Sequence, residues 1–211
     1  MSKIYEKMNS ANTALLVIDI VNGCCDEKCE EPKFGITFSK IRKMIPNLQS
    51  FIDDYRHKVG GLIIFANITP WRKEFLAENI NELYTDPKAY YYSDDASGFP
   101  EKFYIVEPQN SDLIFTKNHY DLFTNENFVK EMAIRGIRYL VITGIFGDGC
   151  VLSTIISGFS KGFNFVILKD LVETTDLEIR QKLQIILKEY TWPIMYGKTV
   201  SAQEFLNTWK K

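Results

Sequence analysis

The sequence is poor in histidine and carries almost no net charge. It has two histidines, His57 and His119, in 211 residues, and a formal net charge of −2. A transition-metal site built on imidazoles needs two or three of them, so such a site is disfavoured. The weak charge offers no basic patch, which excludes nucleic acid as an expected partner.

Long apolar runs are also missing. No run approaches the roughly 20 residues that span a bilayer, so we expect no membrane partner. The first segment, MSKIYEKMNSANT, is polar and lacks the apolar core of a signal peptide. We therefore expect a cytoplasmic location.

Cysteines are few, and three of the four are clustered. Cys24, Cys25 and Cys29 stand in the run CCDEKC, and Cys150 stands alone. In a reducing compartment we expect all four to be free thiols. Thiolates four residues apart can share a zinc ion, but no later CxxC or HxxxH supplies further ligands. We expect neither a metal nor another cofactor, although a thiol redox or metal-storage role for this cluster remains an alternative.

The abundant residues indicate an ordinary folded domain. Hydrophobic residues make up 45% of the chain, and its 15 Phe and 11 Tyr can form both a core and aromatic pocket walls. The length suits one large domain, and we predict a single domain over residues 1–211.

Short apolar runs alternate with amphipathic segments. The runs predicted as strands are residues 13–20, 60–69, 111–117, 139–144, 163–170 and 192–197. The segments predicted as helices are 39–58, 71–84, 125–137, 149–161, 176–190 and 201–211. Fully apolar strands that alternate with helices predict an α/β fold: a doubly wound, mostly parallel sheet of about six strands with helices on both faces, in three Rossmann-like layers.

One long connection interrupts this alternation. Residues 70–110 are rich in Tyr, Asp and Pro and separate the second predicted strand from the third. A connection of this length is more often a lid or a subunit contact than a plain loop. We predict one of these two roles for it.

Three chemically useful residues fall at the ends of predicted strands. Asp19 ends the first strand, Lys117 ends the third, and Cys150 follows the fourth. Ligands of open α/β sheets collect at the carboxyl ends of strands where the strand order reverses. With the common order 3-2-1-4-5-6, Asp19 and Cys150 would face each other there. Taken singly, each residue also has a plain structural interpretation: a loop cap, a solvent-facing lysine and a buried packing cysteine.

Three segments together resemble a known family. They are ALLVIDIVN with Asp19 and Asn22, IFTKNHYDLF with Lys117 and Phe123, and YLVITGIFGDGCVLSTIISG with Cys150. Their order and spacing are similar to those of the isochorismatase-like cysteine hydrolase superfamily over about residues 13–175. That superfamily includes nicotinamidases and N-carbamoyl-amide hydrolases.

The resemblance implies a catalytic triad. Cys150 would be the nucleophile, Asp19 the group that takes and returns its proton, and Lys117 the group that holds Asp19. The backbone N–H groups of Phe146 and Cys150 would form the oxyanion hole, beside a cis peptide at Ile145–Phe146. Because Cys150 opens a helix and adjoins Lys117, we expect a lowered thiol pKa and fast alkylation.

Departures from the family pattern narrow the expected function. Gly147 stands where members commonly have threonine, which leaves the oxyanion geometry open. Asn67 and Thr69 stand where nicotinamidases have a metal-binding Asp-x-His, which argues against a nicotinamidase and a catalytic metal. His119 is a further possible substrate contact, with a structural role equally open.

The expected activity is metal-independent hydrolysis of a C–N bond in a small amide or carbamoyl compound through a thioester. An isochorismatase-like ether hydrolase and a catalytically idle binding protein on the same fold remain alternatives. The residues predicted to form the substrate pocket are Asn22, Trp71, Tyr120, Phe123 and Phe146.

The family resemblance also implies a homodimer or homotetramer. The sequence offers two candidate contact surfaces, the Tyr-rich segment 70–110 and the apolar residues Phe205, Leu206 and Trp209 of the last predicted helix.

Overall fold

The computed structural model describes residues 4–85 and 92–209. Within them, six strands form one sheet: β1 (Thr13–Ile18), β2 (Leu62–Ile68), β3 (Leu113–Lys117), β4 (Tyr139–Ile145), β5 (Asn164–Glu173) and β6 (Gly197–Val200). Every pairing is parallel, and the order is β3-β2-β1-β4-β5-β6. This confirms the predicted α/β fold and the predicted reversal of strand order between β1 and β4.

Helices cover both faces of this sheet. The α-helices of the described residues are α1 (Asn22–Cys25), α2 (Ser39–Asp54), α3 (Glu78–Leu83), α4 (Glu126–Ile134), α5 (Leu152–Ser160), α6 (Glu178–Ile186) and α7 (Ala202–Thr208). None of them is long and apolar enough to pass through a bilayer.

Strand β1 shows why the sheet is buried on both sides. All six of its side chains are buried. Leu15 and Val17 belong to one core cluster, which also contains buried residues of α2 and α7. Leu16 and Ile18 belong to a second cluster on the other face, with buried residues of α4 and α5. The period-two alternation of a strand therefore supplies both cores from one apolar run.

Helix α2 carries the predicted apolar face. Ile41, Ile45, Leu48 and Ile52 are each at most 1% exposed, at the spacing of one helix face. Pro46 lies inside this helix.

Two predicted elements are wrong in part. The apolar run 192–197 is not a strand: a π-helical continuation of α6 runs over Leu187–Tyr196 and buries Trp192, and β6 begins only at Gly197. The predicted helix 71–84 is reduced to α3, because the residues before Glu78 form turns tied to other segments. Periodicity cannot separate a short buried strand from a buried helical turn.

Helix α7 is not the exposed apolar end that the sequence suggested. Phe205 is fully buried and stacks on Tyr55 with ring centroids 6.3 Å apart. Leu206 and Trp209 pack against the same core. The apolar residues of α7 therefore stabilise the chain's own fold.

The sheet brings the predicted site residues to one edge. β1 and β4 are in register at Ile18 and Gly144, and β2 and β3 at Ile68 and Lys117. Gly144 has a φ of 108°, and a Cβ there would lie 2.2 Å from the Ile18 carbonyl oxygen. Only glycine permits this approach of β4 to β1 just before the site.

The described part of segment 70–110 folds back over that edge. The backbone N–H groups of Asn22 and Gly23 donate to the carbonyls of Lys102 and Pro100, each at 2.9 Å. Tyr104 N–H donates to Ile20 O at 3.0 Å. The segment therefore forms a wall beside the end of β1. Residues 86–91 of the predicted lid lie outside the described residues.

Candidate active site

Asp19, Lys117 and Cys150 meet at the carboxyl edge of the sheet. Lys117 Nζ lies 2.8 Å from Asp19 Oδ2, and both side chains are at most 2% exposed. The Cys150 thiol lies close enough to interact electrostatically with both groups. The three residues predicted from strand ends are thus brought together.

Local backbone geometry places each of them. Lys117 is the last residue of β3. Asp19 directly follows β1 with a φ of 56°, and its N–H donates to Ala66 O at 2.9 Å. A left-handed conformation is costly for a residue other than glycine, and such residues cluster at functional sites. Cys150 lies in a π-helical turn, Gly147–Val151, that leads from β4 into α5.

The two carboxylate oxygens of Asp19 differ in their partners. Oδ2 receives the Lys117 ammonium, whereas Oδ1 is buried and has no hydrogen-bond partner of ordinary geometry. A buried carboxylate oxygen without a partner is expensive. Oδ1 is therefore suited to accept a proton from the thiol beside it.

Burial and charge set the protonation states of the ion pair. Burial raises the pKa of Asp19, although Lys117 and Cys150 counteract the rise. Burial is the largest single influence on the pKa of Lys117 and would lower it, but Asp19 and Cys150 together outweigh burial, so this pKa is raised. The lysine stays charged, and Asp19 is a stronger base than an ordinary carboxylate.

The expected low pKa of Cys150 is wrong. Burial first, and then the Asp19 carboxylate, raise the pKa of this thiol to about 12, although Lys117 lowers it. Removing a thiolate from water costs more free energy than the neighbouring ammonium group and the start of a helix recover by electrostatic stabilisation. The resting protein therefore holds a neutral thiol beside a base.

The backbone around Phe146 is closed into a tight turn. The Ile145–Phe146 peptide is cis, as the resemblance implied. The Phe146 carbonyl accepts hydrogen bonds from Gly149 N–H at 2.9 Å and from Val151 N–H at 3.1 Å. These bonds fix the loop on which Cys150 stands.

A cavity of about 670 Å³ opens above the triad. Asp19 and Cys150 line it, together with Trp71, Tyr120 and Phe146 of the predicted pocket. Two predicted pocket residues lie elsewhere. Asn22 is buried and its amide donates to Phe99 O at 3.0 Å, so it anchors the 70–110 segment. Phe123 packs in the second core against Phe128, with centroids 5.1 Å apart.

Comparison with known proteins identifies the family. Residues 13–191 match the model of the isochorismatase domain. This chain belongs to the isochorismatase family, a family of hydrolases.

Several solved structures share the fold of this chain. A cysteine hydrolase from Pseudomonas syringae pv. phaseolicola 1448A gives a TM-score of 0.80 at 16% identity, covering 99% of this chain and 97% of that chain. An isochorismatase family protein from Burkholderia thailandensis gives 0.73 at 19% identity, covering 95% and 97%. N-carbamoylsarcosine amidase from Thermoplasma acidophilum gives 0.64 at 17% identity, covering 92% and 97%.

Gly147, the departure from the isochorismatase-family pattern, has a packing reason. A Cβ at Gly147 would lie 1.8 Å from Gln184 Oε1. Gln184 is only 2% exposed and donates to Val172 O at 3.0 Å. Helix α6 therefore occupies the space that a threonine side chain would need.

The loop that carries Cys150 is held by hydrogen bonds from Arg180 that the sequence did not reveal. Arg180 of α6 donates two hydrogen bonds to Asp148, Nε to Oδ2 at 2.6 Å and Nη2 to Oδ1 at 2.7 Å. Thr174 also donates to Asp148, and the Arg180 guanidinium lies 4.9 Å from the centre of the Phe146 ring. Arg180 stands in an amphipathic helix, where a charged residue ordinarily faces solvent, so only the tertiary structure identifies this role.

Other candidate ligands do not form a metal centre. Within residues 4–85 and 92–209, no three His, Cys, Asp or Glu side chains are grouped to hold a metal ion. The Asn67 amide donates to Glu101 O at 3.2 Å. His119 is half-buried and its Nε2 lies 3.2 Å from the Asn79 amide. All four cysteines are free, as predicted.

The thiol environment predicts an unusual labelling result. Asp19→Asn removes the charge that raises the pKa of Cys150 and leaves Lys117, which lowers it. One pKa unit changes the thiolate fraction tenfold. We therefore expect iodoacetamide to label Cys150 of the variant about tenfold faster than in the natural protein at neutral pH, read by mass spectrometry of each cysteine.

Lys117→Met is the opposing variant and should slow the labelling of Cys150. Cys29, whose raised pKa of about 11 has burial as its main cause, is the internal reference. Circular dichroism checks folding. Slower labelling of Cys150 in Asp19→Asn would show that Asp19 does not hold the thiol neutral.

Proposed function

We propose that this protein is a metal-independent cysteine hydrolase that cleaves the C–N bond of a small amide or carbamoyl compound. One observation carries the proposal: a buried Cys150 thiol that interacts electrostatically with both Asp19 and Lys117 and lines a cavity. A nucleophile with an adjacent base, and a third group that orients the base, is the arrangement that acyl transfer needs.

The first half-reaction forms a thioester. Asp19 Oδ1 accepts the Cys150 proton as Sγ attacks the carbonyl carbon, and the carbonyl electron pair moves to oxygen. The backbone N–H groups of Phe146 and Cys150 stabilise that oxyanion. When the intermediate collapses, the C–N bond breaks, and Asp19 returns the proton to the leaving nitrogen.

The second half-reaction releases the acid. Asp19 takes a proton from water as the water oxygen attacks the thioester carbon. The C–S bond then breaks, and the proton returns to Sγ. Lys117 stays charged throughout, because its raised pKa keeps its proton on Nζ. Its role is to hold Asp19 and to stabilise the charge that moves between Asp19 and Sγ.

Ether hydrolysis is the second candidate. The raised pKa of Asp19 suits a group that protonates an ether oxygen, and this chemistry needs no nucleophilic thiol. The two candidates differ in what they require of Cys150.

Substitution of the triad tests the proposal. Cys150→Ala and Asp19→Ala should each reduce turnover of amide or carbamoyl compounds at least about a thousandfold, and the double variant should lose little more, because the residues act as one unit. The measurement is ammonia or amine release over a substrate panel.

Cys25→Ala is the matched control for this test. Cys25 is buried in the core and does not line the cavity, so its loss should leave turnover near that of the natural protein. Full turnover by a correctly folded Cys150→Ala variant would exclude the thioester and favour ether hydrolysis.

Metal independence is supported by the chemistry of the donor atoms. The Asn67 amide nitrogen donates to Glu101 O, and its neutral amide oxygen is not the imidazole or thiolate that transition metals prefer. Burial holds the pKa of Cys24 well above its usual range. A protonated thiol is a poor metal ligand. We expect turnover to survive treatment with EDTA and dialysis. Loss of turnover that a single metal restores would contradict the metal-free mechanism.

Assembly is proposed to use a different surface from the two expected ones. Ile179, Leu183, Ile186, Tyr190 and Ile194 form a stripe along α6 and its continuation, each between 42% and 68% exposed. The exposed Phe159 of α5 lies beside it, packed edge-on against Tyr196. We propose that a second copy of the chain covers this stripe through a two-fold contact.

A charge on the stripe tests the assembly. Light scattering of the natural protein should give a species of at least two chains. Ile186→Glu should shift it toward one chain. Ile134→Glu, at an exposed position on α4, should not. A natural protein that stays a single chain at micromolar concentration would refute the proposal.

A further inference from the structure

The basic and the acidic side chains that line the cavity differ in their interaction partners. The three cations in its lining all have partners. Lys28 lies 5.4 Å from the centre of the Phe99 ring, Lys33 lies 3.7 Å from a Glu31 oxygen, and Arg180 is bound to Asp148. Each cation of the cavity lining thus has an interaction partner within the protein.

Three further acidic side chains line the same cavity. We call Asp94, Asp95 and Glu101 the acidic rim. Among the residues that the structure describes, none of the three forms an ion pair. Arg72 lies within electrostatic range of Asp95, but its guanidinium pairs with Glu74 and covers the Phe75 ring. Hydrogen bonds from Ser97 lower the pKa of Asp95, so this residue is charged at neutral pH.

An aromatic wall stands next to the rim. It consists of Trp71, Tyr84, Tyr92 and Tyr120. Trp71 stacks on Tyr120 with centroids 6.0 Å apart, and Tyr84 meets Tyr92 edge-on at 5.3 Å. Ser93 N–H donates to Trp71 O at 2.9 Å, which ties the rim to the wall.

Hydrogen bonds fix the orientation of these rings. Trp71 Nε1 donates to the Tyr84 hydroxyl at 2.9 Å, and the Tyr92 hydroxyl donates to Asn81 Oδ1 at 2.9 Å. The faces of preoriented aromatic rings attract cations, Trp most strongly, and proteins use such rings to bind quaternary ammonium groups. Neighbouring carboxylates strengthen it.

We propose that the cavity selects amide or carbamoyl compounds that carry a positively charged amine or quaternary ammonium group, with that group against the aromatic wall. The assignment rests on the proposed function, because it orients the reacting carbonyl toward Cys150. The unpartnered, buried Asp19 Oδ1 in the same cavity marks the end at which the carbonyl lies.

Two compounds of the same shape separate charge from size. Betaine amide and 3,3-dimethylbutanamide differ only in a central nitrogen cation or carbon. We expect calorimetry with the Cys150→Ala variant, which retains the wall and the rim, to show about tenfold tighter binding of betaine amide. Equal binding, tighter binding of the neutral compound, or no binding of either would overturn the inference.

Substitutions test whether the preference for betaine amide arises from the aromatic wall and the acidic rim. In the Cys150→Ala background, Trp71→Leu and the pair Asp94→Asn with Glu101→Gln should each reduce the preference for betaine amide at least threefold. Glu107→Gln, exposed in the same segment but outside the lining, is the matched control and should retain the full preference. A preference that survives both changes would place the cation elsewhere and refute the assignment.

Turnover by the natural protein distinguishes failure of the proposed cation site from failure of the proposed hydrolysis. Preferential binding of betaine amide without release of ammonia from any amide or carbamoyl compound would support the cation site and count against the proposed hydrolysis. Hydrolysis of neutral compounds with no preference in binding would support the proposed hydrolysis and count against the cation site.

Discussion

The buried ion pair between Lys117 and Asp19 is the constraint on which the site depends. Removing one partner of a buried pair costs about 3–5 kcal/mol, because the other charge is left without compensation. The pair joins the end of β3 to the end of β1 across β2, at 2.8 Å between Nζ and Oδ2. It can form only when these three strands are in register, and Asp19 reaches it through a left-handed backbone conformation. Fold and site are therefore specified by the same contact.

The ion pair also explains why a buried thiol can serve this chemistry. A cysteine that was ionised at rest would be open to alkylation and oxidation in every encounter. Here burial and the Asp19 carboxylate raise the pKa of Cys150, so the thiol is neutral at rest. In the proposed mechanism it loses its proton only when a carbonyl accepts its electrons. Proton transfer and attack are thereby coupled. The lysine makes the transfer feasible by stabilising negative charge on either partner.

The predictable part of the site is the part fixed by strand ends. Parallel strands expose their carboxyl ends at one edge, so Asp19, Lys117 and Cys150 could be placed together from three apolar runs and the expected strand order. The pKa of Cys150 could not be predicted, because it depends on how completely the thiol is desolvated. Neither could the hydrogen bonds from Arg180 to Asp148, since an arginine on an amphipathic helix gives no sign of a partner 32 residues earlier. The same limit explains two errors in the predicted structure. The short apolar run that contains Trp192 could be buried as a strand or as a helix. The burial of Phe205 depends on the position of α2, which the sequence does not specify.

In the proposed function, the residues that react with the substrate and the residues that recognise it stand on two kinds of backbone. The triad stands at strand ends, where the hydrogen-bonded sheet fixes the positions of the reacting atoms. The aromatic wall and acidic rim stand on segment 70–110, which is held to the sheet edge by a few backbone hydrogen bonds, such as Gly23 N–H to Pro100 O. Loops accept substitution more readily than the strands of a core. A change in this segment can therefore alter the proposed charge preference of the cavity without moving the ion pair, and Asp19 then stays beside the Cys150 thiol.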